Sequence, residues 1–178
     1  THLSLLNAPD GRMQQVQSKD GQIHAIVDYA HTPDALRKVL ETLNTVRQSG
    51  TAVGATGQEA RILCVVGCGG DRDRTKRPIM AQVAADLADL VILTSDNPRS
   101  EDPATIISEM RNGLDPIQAR KVTANQDREE AIRSACIQAR PGDVVLVAGK
   151  GHEKYQEIQG EKLPFDDVAV LTASLMTH

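Results

Sequence analysis

At 178 residues, with 40% hydrophobic and 25% charged residues, the chain has the make-up of one globular domain with its own core. A formal net charge of −4 supplies no basic patch of the kind that holds nucleic acid, which argues against DNA or RNA as a partner. No apolar run approaches the about 20 residues of a membrane span, and the start "THLSLLNAPDG" lacks the basic and apolar parts of a signal peptide, so no membrane insertion and a cytoplasmic location are expected.

In chain order, "IHAIVDYA" (23–30) has strand character, and "TPDALRKVLETLNTV" behind it is predicted to be a helix that Thr32 caps and Pro33 opens. The small, polar segment 47–60 is predicted to be a long surface loop. "RILCVVGCGG" is an apolar strand running into glycines, and "KRPIMAQVAADLAD" carries Ile79, Met80, Val83, Ala84 and Leu87 at helical spacing. "LVILTSD" is a further strand, "PATIISEMRNGL" a helix opened by a proline, "KVTAN" a short strand, "DREEAIRSACIQA" a helix and "DVVLVAG" another buried strand. The tail forms a hairpin around Gly160 and then a helix introduced by Asp166 and Asp167. Continuous aliphatic strands alternating with helices predict an α/β fold: a Rossmann-like, open, mostly parallel sheet with helices on both faces.

Cys64, Cys68 and Cys136 lack the paired spacing of a zinc site or a disulfide framework and are expected to be free thiols, Cys68 as a small filler. Neither "GCGGDRD" nor "GKGHEKY" matches a P-loop or a dinucleotide-binding glycine pattern. His31 and His152 have no complete ligand set around them in sequence, so no protein-bound metal is predicted.

In an open parallel sheet the ligand crevice lies outside the carboxyl ends of the strands. The residues just after four of the strands are "DYAHTPD", "GCGGDRDRTKR", "SDNPR" and "GKGHEKY". They bring Asp28, His31, Arg72, Asp96, Asn97, Arg99, Lys150, His152 and Glu153 toward one rim. Arginines that fork onto a carboxylate, facing a carboxylate that can hold an ammonium, suit a small zwitterion such as an amino acid.

The segments "GRMQQV", "VDYAHTPDAL", "GCGGDRDRTKRPIM", "TSDNPRSEDP" and "VLVAGKGHEKYQ", in this order and spacing, resemble the C-terminal domain of the Mur ligases. The resemblance covers essentially the whole chain and is to the members that add meso-diaminopimelate to UDP-N-acetylmuramoyl-L-alanyl-D-glutamate in peptidoglycan synthesis. "DYAHTPDAL" by itself marks only the broader ATP-dependent family. The resemblance implies that Arg72, Asn97, Arg99, Gly149 and Glu153 bind meso-diaminopimelate, with Arg99 on the carboxylate that lysine lacks. It also implies that Arg12 approaches the phosphates of ATP, Asp28 the ribose or the adjoining linker, and His31 the same nucleotide site, whereas Asp96 and Pro98 shape a turn. ATP and Mg²⁺ are then expected to be held mainly by a central domain, and the UDP-sugar dipeptide by an N-terminal one. Neither is recognisable in this sequence, so a C-terminal fragment that cannot ligate alone is expected. A lysine-adding relative and a non-catalytic amino-acid-binding module are the alternatives.

Overall fold

The computed structural model describes residues 10–49 and 59–176. The sheet strands are β1 (Gln14–Gln17), β2 (His24–Asp28), β3 (Ile62–Cys68), β4 (Leu90–Ser95), β5 (Val122–Ala124) and β6 (Val144–Ala148). The helices are α1 (Pro33–Gln48), α2 (Lys76–Leu87), α3 (Pro103–Arg111), α4 (Arg128–Gln138) and α5 (Asp167–Leu175), and β7 (Tyr155–Ile158) with β8 (Glu161–Pro164) forms a separate antiparallel hairpin.

Local chemistry starts most of these helices where expected. Thr32 accepts a hydrogen bond from the Ala35 N–H at 3.2 Å and Pro33 follows it, so α1 opens with one of its unpaired amides satisfied. Asp102, Asp127 and Asp166 cap α3, α4 and α5 in the same way. Along α1, Leu36, Leu40 and Leu43 recur at helical spacing and form its buried stripe.

The strand order is β1-β2-β6-β3-β4-β5, parallel throughout except for β1, which runs antiparallel to β2. Alternate residues of each strand feed two cores. Ile26, Cys64, Val66, Leu93 and Leu146 pack with α1, α2 and α3. Ala25, Val27, Val65, Ile92 and Val147 pack with α4 and α5 on the other face. The chain steps from β2 through β5 in one direction with helices on one face. It then returns to β6 across the other face, as right-handed crossovers require. Thus the carboxyl ends of β2, β3, β4 and β6 come out at one edge, beside one another.

Three details depart from the sequence reading. β1, "QQVQ", was not expected: with one aliphatic residue it carries no strand periodicity, and it forms by pairing with β2 while Val16 packs against the α4 and α5 core. α1 runs on to Gln48, because Arg47 closes its last turn with an ion pair to Asp89 at 2.7 Å. A 3-10 turn, Gln118–Lys121, precedes β5. Residues 50–58 of the predicted loop, and residues 1–9 of the segment judged free of a leader, lie outside the described residues. Among the described residues no helix is long and apolar enough to cross a membrane.

Candidate functional site

A cleft of about 480 Å³ opens over the carboxyl ends of β2, β3, β4 and β6. Six of the expected residues line it: His31 after β2, Arg72 after β3, Asn97 and Arg99 after β4, and Gly149 and Glu153 after β6. Asp96, placed at the rim by its strand tip but given only a turn-shaping role by the family resemblance, lines it too. Arg12 and Asp28 stand outside this lining.

The turn after β4 is held from the far side by the hairpin. The Arg99 N–H donates to the Glu157 carbonyl at 2.9 Å, and the Gln159 N–H donates to the Arg99 carbonyl at 2.7 Å. These bonds hold Arg99 at φ 52°, a left-handed conformation that costs a side-chain-bearing residue about 1–2 kcal/mol. Its guanidinium reaches over the glycine loop, where Nη1 donates to the Gly70 carbonyl at 2.8 Å and Nε lies 3.3 Å from Glu157 Oε2. Gly70 is a glycine because a Cβ there would land on the Pro98 carbonyl. The close approach is sealed by the Gly70 N–H donating to the Asn97 carbonyl at 2.9 Å.

Asn97 joins three parts of the site. Its Oδ1 accepts from Lys150 Nζ at 2.9 Å and from the Glu157 N–H at 2.9 Å, while its Nδ2 donates to Glu153 Oε2 at 2.9 Å. Lys150 is fully buried, with Nζ also 3.2 Å from Glu153 Oε2 and 4.0 Å from Asp96 Oδ1. The Asp96 carboxyl is pushed above its ordinary range by burial, against the opposing pull of Arg128 and Lys150. Cys68, on the cleft wall, has its thiol pushed up to about 12 by burial and then by Asp96, so it stays protonated at neutral pH and does not offer a thiolate.

Of the basic cluster after β3, two members are structural. Arg77 is buried, paired with Glu101 at 2.8 Å and Glu109 at 2.7 Å, and donates to the Gly69 carbonyl at 3.2 Å. Arg74 pairs with Glu109. Arg72 and Lys76 remain exposed on the cleft wall.

The segment bearing Arg12 is fastened to the same loops. Asp28 Oδ2 accepts from the Met13 N–H at 2.8 Å, and the Asp28 carbonyl accepts from the Gly149 N–H at 3.0 Å. Gly11 packs so closely against Gly151 and His152 that a Cβ would overlap their backbone. Arg12 itself is exposed, and the Tyr29 ring stands 4.6 Å from the His31 ring and 5.3 Å from that of His152. Among the described residues no group of three or more His, Cys, Asp or Glu is placed to hold a metal ion.

Sequence reasoning missed the supports. Arg128, in "DREE", looks like a surface helix residue, yet it is fully buried against Asp167. Glu157, in a polar strand, gave no signal either. Lys150 did carry one: a lysine between two glycines right after a buried strand has little room to reach solvent.

The sequence matches the profile described as "Mur ligase, glutamate ligase domain" over residues 11–151. A relative from Cytophaga hutchinsonii named UDP-N-acetylmuramoyl-L-alanyl-D-glutamate--2,6-diaminopimelate ligase is 50% identical over 175 residues, covering 98% of this chain and 34% of the relative. A ligase of the same name from Chromobacterium violaceum is 51% identical over 165 residues, covering 93% of this chain and 31% of the relative. A solved structure of an enzyme of that name superposes with a TM-score of 0.81 at 46% identity, over 96% of this chain and 32% of the other. The chain therefore spans about a third of the length of the curated relatives it matches. With the glycine loop, the β4 turn and the "GKGHE" loop all inside a match of this extent, the chain belongs to the Mur ligase, glutamate ligase domain family.

Proposed function

We propose that the chain is the C-terminal, amino-acid-binding domain of an ATP-dependent, amide-forming ligase that adds meso-diaminopimelate to UDP-N-acetylmuramoyl-L-alanyl-D-glutamate in cytoplasmic peptidoglycan synthesis. The observation that carries the reading is the pairing of opposite polarities across one cleft. Arg99 and Arg72 supply cations on one wall, and Glu153 with Gly149 supplies acceptors on another. Diaminopimelate keeps a carboxylate and an ammonium at its unreacting end. Arg99 can fork onto that carboxylate while Glu153 and the Gly149 carbonyl take the ammonium. Lysine brings no carboxylate to this position, so the Arg99 N–H groups not taken by Gly70 and Glu157 would gain no anion from it. The names of the relatives, all diaminopimelate ligases over nearly the whole chain, support the same choice.

In the proposed reaction the γ-carboxylate of D-glutamate takes the terminal phosphoryl group of ATP, releasing ADP. The amine of diaminopimelate then attacks the acyl phosphate, and phosphate leaves as the amide forms. Mg²⁺, when bound, supplies charge stabilisation at the phosphates; the described residues of this chain offer no ligand cluster for it. This chain's part is to hold and orient the amine donor. Asp28, engaged by the Met13 N–H, orients the segment that carries Arg12, so that Arg12 and His31 can meet a nucleotide held elsewhere. Assay of the complete ligase carrying this chain, with the UDP-sugar dipeptide, ATP and Mg²⁺, tests the reading. Amide formation with meso-diaminopimelate and little with L-lysine is expected; equal use of both would overturn the specificity, and no ligation with either would overturn the activity.

A further inference from the structure

We infer that Lys150 is the positioning residue that fixes which atoms Asn97 and Glu153 present to the cleft, and thereby sets the polarity of the site. The inference rests on reading the cleft as an amino-acid site. The Lys150 side chain has 0% exposure, and its ammonium lies 2.9 Å from Asn97 Oδ1 and 3.2 Å from Glu153 Oε2. An ammonium donates and never accepts, so each neighbour must turn an acceptor toward it.

For Asn97 this decides the orientation of the amide. Oδ1 faces Lys150 and the Glu157 N–H, two donors that fill both of its lone pairs. Nδ2 is thereby forced to the opposite side. One of its hydrogens goes to Glu153 Oε2, and the other is left for a ligand. The amide cannot rotate by half a turn, because Nδ2 would then face two donors inside the protein.

For Glu153 the same ammonium decides which oxygen is spent. Oε2 receives both Lys150 and Asn97, leaving Oε1 as the oxygen for an incoming donor. Asn97 therefore offers the cleft an N–H and suits a carboxylate oxygen, whereas Glu153 offers an acceptor and suits an ammonium. Lys150 also sits 4.0 Å from Asp96 Oδ1, so removing its charge would leave two carboxylates side by side with less to offset them. The Tyr155 ring, 5.4 Å from Nζ, covers the remaining side.

Two substitutions, Lys150→Met and Lys150→Gln, test this through the Asn97 side-chain ¹⁵N signals of the ligand-free chain and through calorimetric affinity for meso-diaminopimelate. The wild-type chain is expected to show two Asn97 amide protons shifted from free-asparagine positions, with the one on Glu153 protected from exchange. In K150M these should move toward the positions of a free asparagine amide or broaden, and affinity should fall about ten- to a hundredfold. K150Q, which still offers an N–H to Oδ1, should recover part of both effects, which a general packing defect would not allow. If K150M does not fold, Asn97→Asp carries the test: it keeps an acceptor toward Lys150 but turns an oxygen in place of the N–H toward Glu153 and the cleft, and with the fold confirmed by circular dichroism it should lose affinity by a similar factor or more. Unchanged Asn97 signals and affinity in folded K150M, no advantage of K150Q over K150M, or full affinity in N97D would each overturn the inference. Wild-type chain that ignores diaminopimelate would count against the reading of the cleft, and the Asn97 signals would then judge the Lys150 lock alone.

Discussion

Arg128 and Asp167 meet with no exposure to water in a two-pronged ion pair, Nε to Oδ1 and Nη2 to Oδ2, each 2.8 Å. The same guanidinium donates to the Ser95 carbonyl at 3.1 Å and the Ala148 carbonyl at 3.2 Å, so it ties the ends of β4 and β6 to the first turns of α4 and α5. Those two strand ends carry Asn97 and Gly149.

Breaking one side of this pair leaves a buried charge without its partner. Asp167→Asn is expected to destabilise the fold by about 3–5 kcal/mol in urea unfolding, whereas the double substitution R128M/D167L should recover most of that loss. A D167N protein within about 1 kcal/mol of wild type would show that the pair does not hold the strand ends.

Arg99 combines a strained backbone with a cleft-facing charge, and the two can be separated. Arg99→Ala and Arg99→Gly should both lose about ten- to a hundredfold in affinity for meso-diaminopimelate, with much smaller change for lysine. Because the residue sits at φ 52°, R99G should be more stable than R99A by about 1 kcal/mol in thermal or urea unfolding. Equal losses for both amino acids would remove the argument for a carboxylate partner.

Acid sensitivity should trace to the Arg77 cluster. The Arg77 guanidinium, and then the Asp71 N–H, hold the Glu101 carboxyl down at about 2 from an ordinary 4.5, and Arg74 and Arg77 lower Glu109 as well. A carboxyl lowered on folding binds fewer protons in the native state. Its contribution is therefore complete above pH 4.5 and is lost as pH falls toward about 2. Glu101→Gln should flatten the fall in urea midpoint between those limits; a slope equal to that of wild type would place the acid sensitivity elsewhere.

Gly70 is a test of close approach without any charge change. Gly70→Ala would drive a Cβ into the Pro98 carbonyl and push the 97–99 turn off the glycine loop. Loss of diaminopimelate affinity with a folded circular-dichroism spectrum is the expected outcome, and an unchanged affinity would mean that the turn relaxes at no cost.

Much of this fold was legible because buried parallel strands are continuous aliphatic runs and each capped helix announces its start, as Thr32 and Asp127 do. β1 was not, since "QQVQ" becomes a strand only through its partner. At the site, chemistry placed at strand tips pointed to Arg72, Asn97, Arg99 and Glu153, and the family resemblance added Gly149; all five line one cleft. Their supports escaped because burial of Arg128, and the pairing of Glu157 with the Arg99 turn, are set by residues tens of positions away. A charged side chain in one local window looks the same whether it ends in water or in the core.

The most direct measurement is a ¹⁵N-resolved NMR titration of this chain with meso-diaminopimelate, with L-lysine as the control. The account expects selective shifts at the Arg72, Asn97, Arg99, Gly149 and Glu153 amides with diaminopimelate, centred on the cleft. Equal shifts with lysine, or diaminopimelate shifts confined to residues away from the cleft, would contradict it.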